Sequence, residues 1–446
     1  MEAADEIVVV YVGGFLEPEE YIVPRLKHLT AASAHNNVRI IAVYPSSVSS
    51  LHDRAMQIFW ELKGGTVRYG CEHSAFHGHD VTGPTFPGKY PAWDGDHPVH
   101  IIGNSFGGLT ARVLHAYLAD GVRFEGHATA ASWVVSVNTM NAPLNGCLMV
   151  YSLGANLTLA PVVRWASPGC MLGWIAHLWE LLAARVPSLR RDVYDFKLAH
   201  WRLSWAHTGS GWRSLLLALC GVSVHSNTDN AAYDMTIQSQ LAWQQHLAPT
   251  LAGVYYTSTV GTSYMGAPED QRSFLAALAY WAYILPRYFL RSTPRSVCGV
   301  DTTRWLEDGF DGLLSAHTQG YPCLHADLLA SDQPCTHGGS GQQQLRADGA
   351  AAAATAAPAS ATTALLGMPT HAQVVTCELD QLGGNLADNK SSSSSGGGGK
   401  RGAISDGIWY VRHVKLGHLA MGSASAAANG TLQVTLAQTL VSNPNP

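Results

Sequence analysis

Charged residues are scarce in this chain. Asp, Glu, Lys and Arg together make up 13% of its 446 residues, and the formal net charge is -5. Proteins that bind nucleic acids usually have a basic patch, so this composition argues against a nucleic-acid partner. The eight cysteines form no C-x-x-C pair, which argues against a zinc ribbon or a thioredoxin-like site. Hydrophobic residues, at 47%, are abundant enough to fill a large core.

The beginning of the sequence has neither a basic start nor a long apolar stretch. An acidic hexapeptide, Met1 to Glu6, leads directly into the short apolar run Ile7–Val12. A secretory leader requires the first feature, and a membrane-spanning helix requires the second. We therefore expect no transmembrane segment and a cytoplasmic location. Secretion through a leader outside this sequence is the alternative.

Short β-branched runs alternate with helical patterns along the chain. The runs cover residues 7–12, 38–43, 99–102, 133–137 and 254–257, and helical spacing is clearest at 109–118 and 237–247. This alternation is typical of βαβ units. The sequence thus predicts an α/β fold in a single domain over residues 1–446, with a mostly parallel central sheet and helices on both of its faces.

Two segments have an unusual composition. Residues 171–186 place a stripe of large apolar side chains on one face of a predicted helix; the stripe consists of Met171, Trp174, Ile175, Leu178, Trp179 and Leu182. Such a stripe usually faces a core, and the alternative is a lid that exposes it at an oil surface. Residues 334–402 contain tracts of glutamine, alanine, serine and glycine. We expect a disordered insertion there, because these tracts bury too little apolar surface to offset the entropy of ordering.

The pattern G-x-S-x-G occurs where a predicted strand passes into a predicted helix. Run 99–102 ends in Gly103-Asn104-Ser105-Phe106-Gly107, and the helical pattern 109–118 follows. In this context the motif predicts a nucleophile elbow, a sharp turn that strains Ser105 and exposes its hydroxyl. An α/β-hydrolase fold with a serine nucleophile is therefore expected. A purely structural turn is the alternative interpretation.

An oxyanion hole accompanies such an elbow. One N–H group comes from the residue after the nucleophile, here Phe106, and the second comes from a loop after an early strand. Gly13-Gly14-Phe15 follows the first apolar run, so Phe15 is the expected second donor. A glycine-rich strand end without this role is the alternative.

The acid and the histidine of the triad follow the nucleophile in that order. Asp308 and Asp311, each followed by glycine, are candidates for the acid, and His413 and His418 are candidates for the base. The acid would orient the imidazole, which removes the proton from Ser105. Spacing alone does not choose among these residues.

Several of these motifs together resemble the zinc-containing thermoalkalophilic (staphylococcal-type) bacterial lipases and their plant and algal relatives. The quoted blocks are GGTVRYGCEHSAFHGH at 64–79, TFPG at 85–88, the elbow itself and NTMNAP at 138–143. The resemblance covers most of the chain outside the low-complexity segment. It implies a lipase or carboxylesterase that acts on acyl-glycerols. Carried over by residue, it implies a triad of Ser105, Asp311 and His418, with Asp308 as the fallback acid.

The resemblance also implies a structural zinc ion. The family's two aspartates and two histidines correspond here to Asp53, His73, His79 and Asp234. Such a set neutralises the ion and completes a tetrahedron, which leaves no position for a catalytic water. Spacing alone favours His73 with His77, an i, i+4 pair on a helix. We expect residues 144–250 to form a helical lid and zinc region.

The sequence departs from the family pattern at two places. Residues 423–428, after the expected histidine, contain no acid, so we expect no calcium. The His-Gly pair before the oxyanion residue is replaced by Gly13-Gly14, and the following loop is shortened.

Two other hypotheses remain beside the serine hydrolase. In one, zinc itself catalyses hydrolysis. In the other, which the altered oxyanion loop favours, the chain is a non-catalytic scaffold that binds lipid surfaces.

Overall fold

The computed structural model describes residues 6–17, 38–157, 162–201, 228–261, 294–303, 305, 311, 314–323, 373–377 and 408–414. Its strands are β1 (Ile7–Val12), β2 (Val38–Val43), β3 (Gly65–Arg68), β4 (Thr82–Phe86), β5 (Val99–Asn104), β6 (Val134–Met140), β7 (Tyr255–Gly261), β8 (Ser296–Val297), β9 (Val300–Asp301), β10 (Gln373–Cys377) and β11 (Ile408–Val414). Its α-helices are α1 (Leu51–Lys63), α2 (Cys71–His77), α3 (Phe106–Asp120), α4 (Met149–Ser152), α5 (Pro168–Ala183), α6 (Ser188–Asp192), α7 (Ala231–Asp234), α8 (Ile237–His246) and α9 (Ala316–Gln319).

Seven of these strands form one sheet in the order β10-β11-β7-β6-β5-β1-β2. Every neighbouring pair in it is parallel. Each of the five β-branched runs identified in the sequence overlaps one of these strands. The mostly parallel sheet with helices that the sequence predicted is therefore confirmed.

Apolar residues of β1 pack on both sides of the sheet. Val8, Val10 and Val12 belong to the main core, whereas Val9 and Tyr11 belong to a separate cluster with Ile102. A strand that is buried on both faces is continuously apolar rather than alternating, which explains the run IVVVYV.

The main core lies where helices α1 and α3 pack against the sheet. Phe59 of α1 stacks on Phe124, with ring centroids 3.7 Å apart, and also lies within 5.9 Å of the Trp93 ring. These side chains are fully buried. This packing joins the second half of α1 to the segment that follows α3, and the candidate sites lie at the opposite, N-terminal ends of the two helices.

The order of strands reverses between β5 and β1. The chain passes from β1 to β2 on one side and later returns to place β5 on the other side of β1. In open parallel sheets, ligands bind at the carboxyl ends of the strands at such a reversal. The loop after β1 and the turn after β5, which the sequence singled out, both lie at this position.

Helix α5 exposes most of the apolar stripe that the sequence identified. Met171, Ile175, Leu178 and Leu182 are 53%, 58%, 47% and 48% exposed. The opposite face of the helix is buried, with Cys170, Ala176 and Leu181 among its members. The interpretation of the stripe as a core face is therefore wrong for these four residues, because the inward face of the helix is formed by other side chains, namely Cys170, Ala176, His177, Glu180, Leu181 and Ala183.

Strand β10 lies within residues 334–402, the segment expected to be disordered. It pairs in parallel with β11, from Gln373 opposite Ile408 to Cys377 opposite Arg412. The β-branched run Val374-Val375-Thr376 suits a strand at a sheet edge, and the expectation of disorder for the surrounding tracts stays a prediction. The other residues of 334–402 lie outside the described part of the chain. The division into one domain with a lid region at 144–250 stays a prediction.

Within the described residues, no helix combines the length and the apolar character needed to cross a membrane.

Candidate active site and metal centre

Ser105 occupies a sharp turn between β5 and α3. Its backbone has φ 52° and ψ -123°, a conformation that residues with a side chain rarely adopt. A Cβ atom on Gly103 would lie 2.5 Å from the carbonyl oxygen of Gly107, and one on Gly107 would lie 2.3 Å from the carbonyl oxygen of Val12. Only glycine fits at both positions, so the turn has the strained geometry expected of a nucleophile elbow.

The loop after β1 touches this elbow. A Cβ atom on Gly14 would lie 3.2 Å from Ser105 Cβ and 3.1 Å from the carbonyl oxygen of Asn104. Phe15 is therefore next to a residue in contact with the serine, and Phe106 begins the helix immediately after it. The two predicted oxyanion donors are brought to the same end of the sheet as Ser105; their role stays a prediction.

Asp311 is buried beside the carboxyl end of β7. Its carboxylate Oδ1 accepts a hydrogen bond from the backbone N–H of Leu314 (2.7 Å), which closes a tight turn. Gln319, in the helix that follows, accepts a hydrogen bond from the N–H of Gly261, the last residue of β7 (2.9 Å). Gln319 also donates to the carbonyl oxygen of Leu314 (3.2 Å), so the turn at Asp311 lies near the carboxyl end of β7, the same end of the sheet as Ser105.

The structure does not describe the side chains of the other triad candidates, Asp308, His413 and His418. Asp308 and His418 lie outside the described residues, and His413 is described only as part of strand β11. Strand β11 runs parallel to β7 and ends at Val414, so its carboxyl end lies at the same end of the sheet as Ser105. The triad stays a prediction.

A second cluster lies near the start of helix α1. One ligand-type atom from each of Asp53, His73, His79 and Asp229 lies within 4.8 Å of the others, and all four residues are buried. His73 Nε2 is 3.3 Å from Asp53 Oδ1 and 3.3 Å from Asp229 Oδ1, while His79 Nε2 is 3.2 Å from Asp229 Oδ2. This set of two carboxylates and two imidazoles can hold a metal ion.

Three atoms of this cluster are buried without hydrogen-bond geometry to any described group: Asp53 Oδ1, His73 Nε2 and His79 Nε2. Buried polar atoms are rarely left in this state, because the loss of hydration is not compensated. Their convergence on one point is the observation that fits a metal ion. Burial lowers the pKa of His73, but the neighbouring carboxylates outweigh it and raise that pKa to about 10. A bound ion would therefore displace a proton from His73.

Groups around the cluster orient its members. His79 Nδ1 donates to the backbone carbonyl of Asp80 (2.8 Å), which leaves the Nε2 lone pair facing the other ligands. His200 Nε2 donates to Asp53 Oδ2 (2.7 Å), so that only Oδ1 of this carboxylate faces the cluster. The His52 ring stacks on His73 with centroids 3.8 Å apart. His200 was missed by the sequence analysis, since a single histidine in a Phe-Lys-Leu-Ala-His-Trp stretch has no characteristic spacing.

The structure corrects one predicted metal ligand. Asp234 is not in the cluster: its Oδ2 accepts from the N–H of Leu51 (2.6 Å), and its Oδ1 accepts from Ser239 Oγ (2.8 Å) and Trp243 Nε1 (3.1 Å). These donors satisfy its carboxylate and attach it to the beginning of α1. Asp229 takes the place expected for Asp234. Spacing gave no signal, because both are lone aspartates in one polar segment.

The histidine assignment implied by the family resemblance agrees with this geometry. His79 contributes a cluster atom, whereas His77 does not, although His77 shares helix α2 with His73. Helix α2 ends at His77, and Gly78 in the left-handed region turns the chain so that His79 faces the cluster. The spacing argument for His77 failed because it assumed that both ligands come from one helix.

The chain is similar to known lipases in sequence. A family model described as "Lipase-like, C-terminal domain" matches residues 31–155. Lipase 2 of Staphylococcus aureus is 25% identical over 317 residues, which cover 67% of this chain and 41% of that protein. The lipase of Staphylococcus hyicus is 25% identical over 335 residues, covering 70% and 47%. The chain thus spans less than half the length of these curated relatives.

The fold has a counterpart among solved structures. The crystal structure of Staphylococcus hyicus lipase matches with a TM-score of 0.60 and 19% sequence identity, over 98% of this chain and 94% of that chain. This likeness confirms the α/β-hydrolase fold expected from the elbow. In both sequence and fold, the chain resembles the staphylococcal-type lipases, as its motifs predicted.

Proposed function

We propose that this chain is a serine hydrolase that cleaves carboxylic esters, with acyl-glycerols as its substrate class. The observation that supports the proposal most directly is the strained turn at Ser105, which lies against a glycine loop where the strand order reverses. The relatives named lipases supply the substrate class. A non-catalytic scaffold would have no need to maintain strain at a serine.

The reaction proceeds through an acyl-enzyme. Ser105 Oγ attacks the ester carbonyl while His418 removes its proton, and the N–H groups of Phe15 and Phe106 donate to the oxyanion that forms. Collapse of this intermediate expels the alcohol, which takes the proton from His418. Water, deprotonated by the same imidazole, then releases the carboxylic acid and restores the serine. Asp311 orients the imidazole and stabilises its charged form.

We also propose that the cluster of Asp53, His73, His79 and Asp229 binds zinc. Two carboxylates and two imidazoles suit this ion in number, charge and donor type, and they fill a tetrahedron. Bound there, zinc would neutralise the carboxylates and stabilise the attachment of α1 and α2 to the segment at Asp229. Four protein ligands would leave no position for a water nucleophile, so the role of the ion would be structural and not catalytic.

The exposed stripe on α5, defined by Met171, Ile175, Leu178 and Leu182, is proposed to contact the lipid surface. Four large apolar side chains in neighbouring helical turns form a patch, which is unusual for a surface facing only water. Contact with an oil surface would remove this patch from water. The stripe thereby concentrates the protein at its substrate.

The first prediction concerns the nucleophile. Ser105→Ala is expected to lower kcat for a soluble p-nitrophenyl ester by about 10⁴-fold or more, because no acyl-enzyme can form. Steady-state hydrolysis and fluorophosphonate labelling measure the effect, and circular dichroism checks the fold. Ser132→Ala, at an exposed serine, is the matched control. Retained hydrolysis in Ser105→Ala would refute the proposal, and a wild-type protein that binds lipid without labelling would support the scaffold hypothesis.

The second prediction distinguishes the two candidate acids. Asp311→Asn is expected to lower kcat by about 10⁴-fold, since an amide cannot stabilise the imidazolium. An asparagine oxygen can still accept from the N–H of Leu314, so thermal unfolding should change little. Asp308→Asn is the matched comparison and should retain activity close to that of the parent. The reverse pattern in the same ester assay would assign the role to Asp308.

The third prediction tests the metal ligands with two isosteric variants. Asp229→Asn should lose bound zinc, whereas Asp234→Asn should retain it, because only the Asp229 carboxylate reaches the cluster. Metal content is measured by inductively coupled plasma mass spectrometry. A chelator should lower Tm by about 5 °C or more in Asp234→Asn and have little effect on Asp229→Asn. Zinc loss in Asp234→Asn alone would contradict the assignment. Fluorophosphonate labelling that persists after chelation would argue against zinc as the catalyst.

The fourth prediction concerns the stripe on α5. The double variant Ile175→Ser/Leu178→Ser should hydrolyse emulsified triacylglycerol about tenfold more slowly, because it loses apolar area at the interface. Hydrolysis of a soluble short-chain ester should not change. Val122→Ser, at a position that is equally exposed but outside α5, is the control. Equal loss on both substrates would show that the stripe does not act at the interface.

A further inference from the structure

The peptide group that joins Gly13 to Gly14 is bound at both of its polar ends by charged side chains. Arg54 Nη2 donates to the carbonyl oxygen of Gly13 (2.7 Å). The N–H of Gly14 donates to Glu17 Oε2 (2.7 Å). A cation therefore contacts the negative end of this peptide dipole, and an anion contacts its positive end. Hydrogen bonds to charged groups are stronger than those between neutral groups.

Arg54 is rigidly held on helix α1. Its guanidinium is fully buried and also donates to Thr110 Oγ1 (2.9 Å) and to the carbonyl oxygen of Ser46 (2.6 Å). It lies 4.6 Å from the centre of the ring of Phe106, the expected oxyanion donor that follows Ser105. This one side chain thus contacts the loop after β1 and the first turn of α3 on the other side of the elbow.

Glu17 attaches the same loop to the sheet. Its carboxylate accepts from Tyr11 Oη at the end of β1 (3.1 Å) and from Asn104 Nδ2, beside the nucleophile (3.2 Å). The intervening Leu16 has φ 51°, which a residue with a side chain seldom adopts. Such a conformation persists when surrounding contacts determine it, and the contacts of Glu17 on both sides of the loop do so.

Two consecutive glycines would otherwise leave this loop poorly determined. Glycine populates positive and negative φ about equally, so the 13–14 peptide has little intrinsic preference for one orientation. The N–H of Phe15 belongs to the next peptide, and rotation about the backbone bonds of Gly14, which link the two peptides, would re-aim it. An oxyanion donor is effective only when it is already directed at the developing charge.

We propose that Glu17 and Arg54 are positioning residues that hold the Gly13–Gly14 peptide in one orientation, so that the N–H of Phe15 is directed at the oxyanion formed on Ser105. This inference rests on the proposed ester hydrolysis. Neither residue contacts the substrate in this role, and their effect is transmitted through the peptide.

Glu17 is the residue to test, because it is only partly buried and Arg54 is in the core. Glu17→Ala should lower kcat for a soluble p-nitrophenyl ester by about 10- to 100-fold, as expected for a displaced catalytic group, with KM changed by less than about twofold. Glu17→Gln should stay within about threefold of the parent, because its amide oxygen still accepts from the N–H of Gly14. Glu125→Ala, at an exposed glutamate far along the chain, is the matched control.

The Tm of every variant is measured to check that it is folded at the assay temperature. If Glu17→Ala does not fold, Glu17→Asp replaces it. The aspartate keeps the charge but is one methylene short of Gly14, so the loss of kcat should recur. Unchanged kcat in Glu17→Ala would overturn the proposal, as would an equal loss in Glu17→Gln. A faster Glu17→Gln would also overturn it, since the carboxylate would then oppose the oxyanion. Failure of the proposed function is separate: it would appear as hydrolysis that survives Ser105→Ala.

Discussion

The first turn of helix α1 determines the arrangement of both candidate sites. Ser50 caps the helix by accepting from the N–H of Asp53 (3.2 Å), and the N–H of Leu51 is bound by Asp234. Asp53 then faces the metal cluster, and Arg54 faces the loop after β1. Two charged residues that are fully buried and adjacent in sequence are costly unless each has partners of the right kind. Their partners lie in different parts of the molecule, and this requirement fixes where the helix begins.

This arrangement couples the two sites through a short stretch of backbone. The side chain of Asp53 is held by the hydrogen bond from His200 to its Oδ2, and its Oδ1 faces the cluster histidines, so the helical turn that contains it has little freedom. Arg54 follows on the same turn, and its fork reaches Gly13 and Thr110. Anything that stabilises the cluster therefore also stabilises the platform from which Arg54 acts. If the cluster binds a metal ion as proposed, that ion would in this way help to maintain the geometry of the loop after β1 without touching Ser105.

The sequence predicted the parts of the molecule that depend on local chemistry. The strand runs and the elbow at Ser105 follow from patterns read along the chain. Three of the four cluster residues, Asp53, His73 and His79, were implied by the family resemblance, whereas spacing alone favoured His77. Patterns along the chain did not distinguish Asp229 from Asp234, because the choice depends on which carboxylate meets the N–H of Leu51 across a separation of about 180 residues. The stripe on α5 was misjudged for a related reason: periodicity identifies an apolar face, but only packing shows whether another element covers it. Strand β10 was hidden by its low-complexity surroundings, since five residues give a weak signal.

Backbone contacts, rather than side chains, set the distance between the turn at Ser105 and the loop after β1. The space that a Cβ atom would need at Gly107 is taken by the carbonyl oxygens of Val12 and Gly13, so the elbow and the end of β1 are as close as two chains can come. Such contact requires glycine at position 107 of the elbow. The facing loop has glycines at positions 13 and 14, so it has no side chain there to fix its orientation. The double glycine after β1 therefore allows the close approach of the two backbones but leaves the Gly13–Gly14 peptide without a preferred orientation of its own. The charged side chains of Arg54 on α1 and Glu17 in the loop itself contact the two polar ends of the Gly13–Gly14 peptide, and these contacts give it a single orientation.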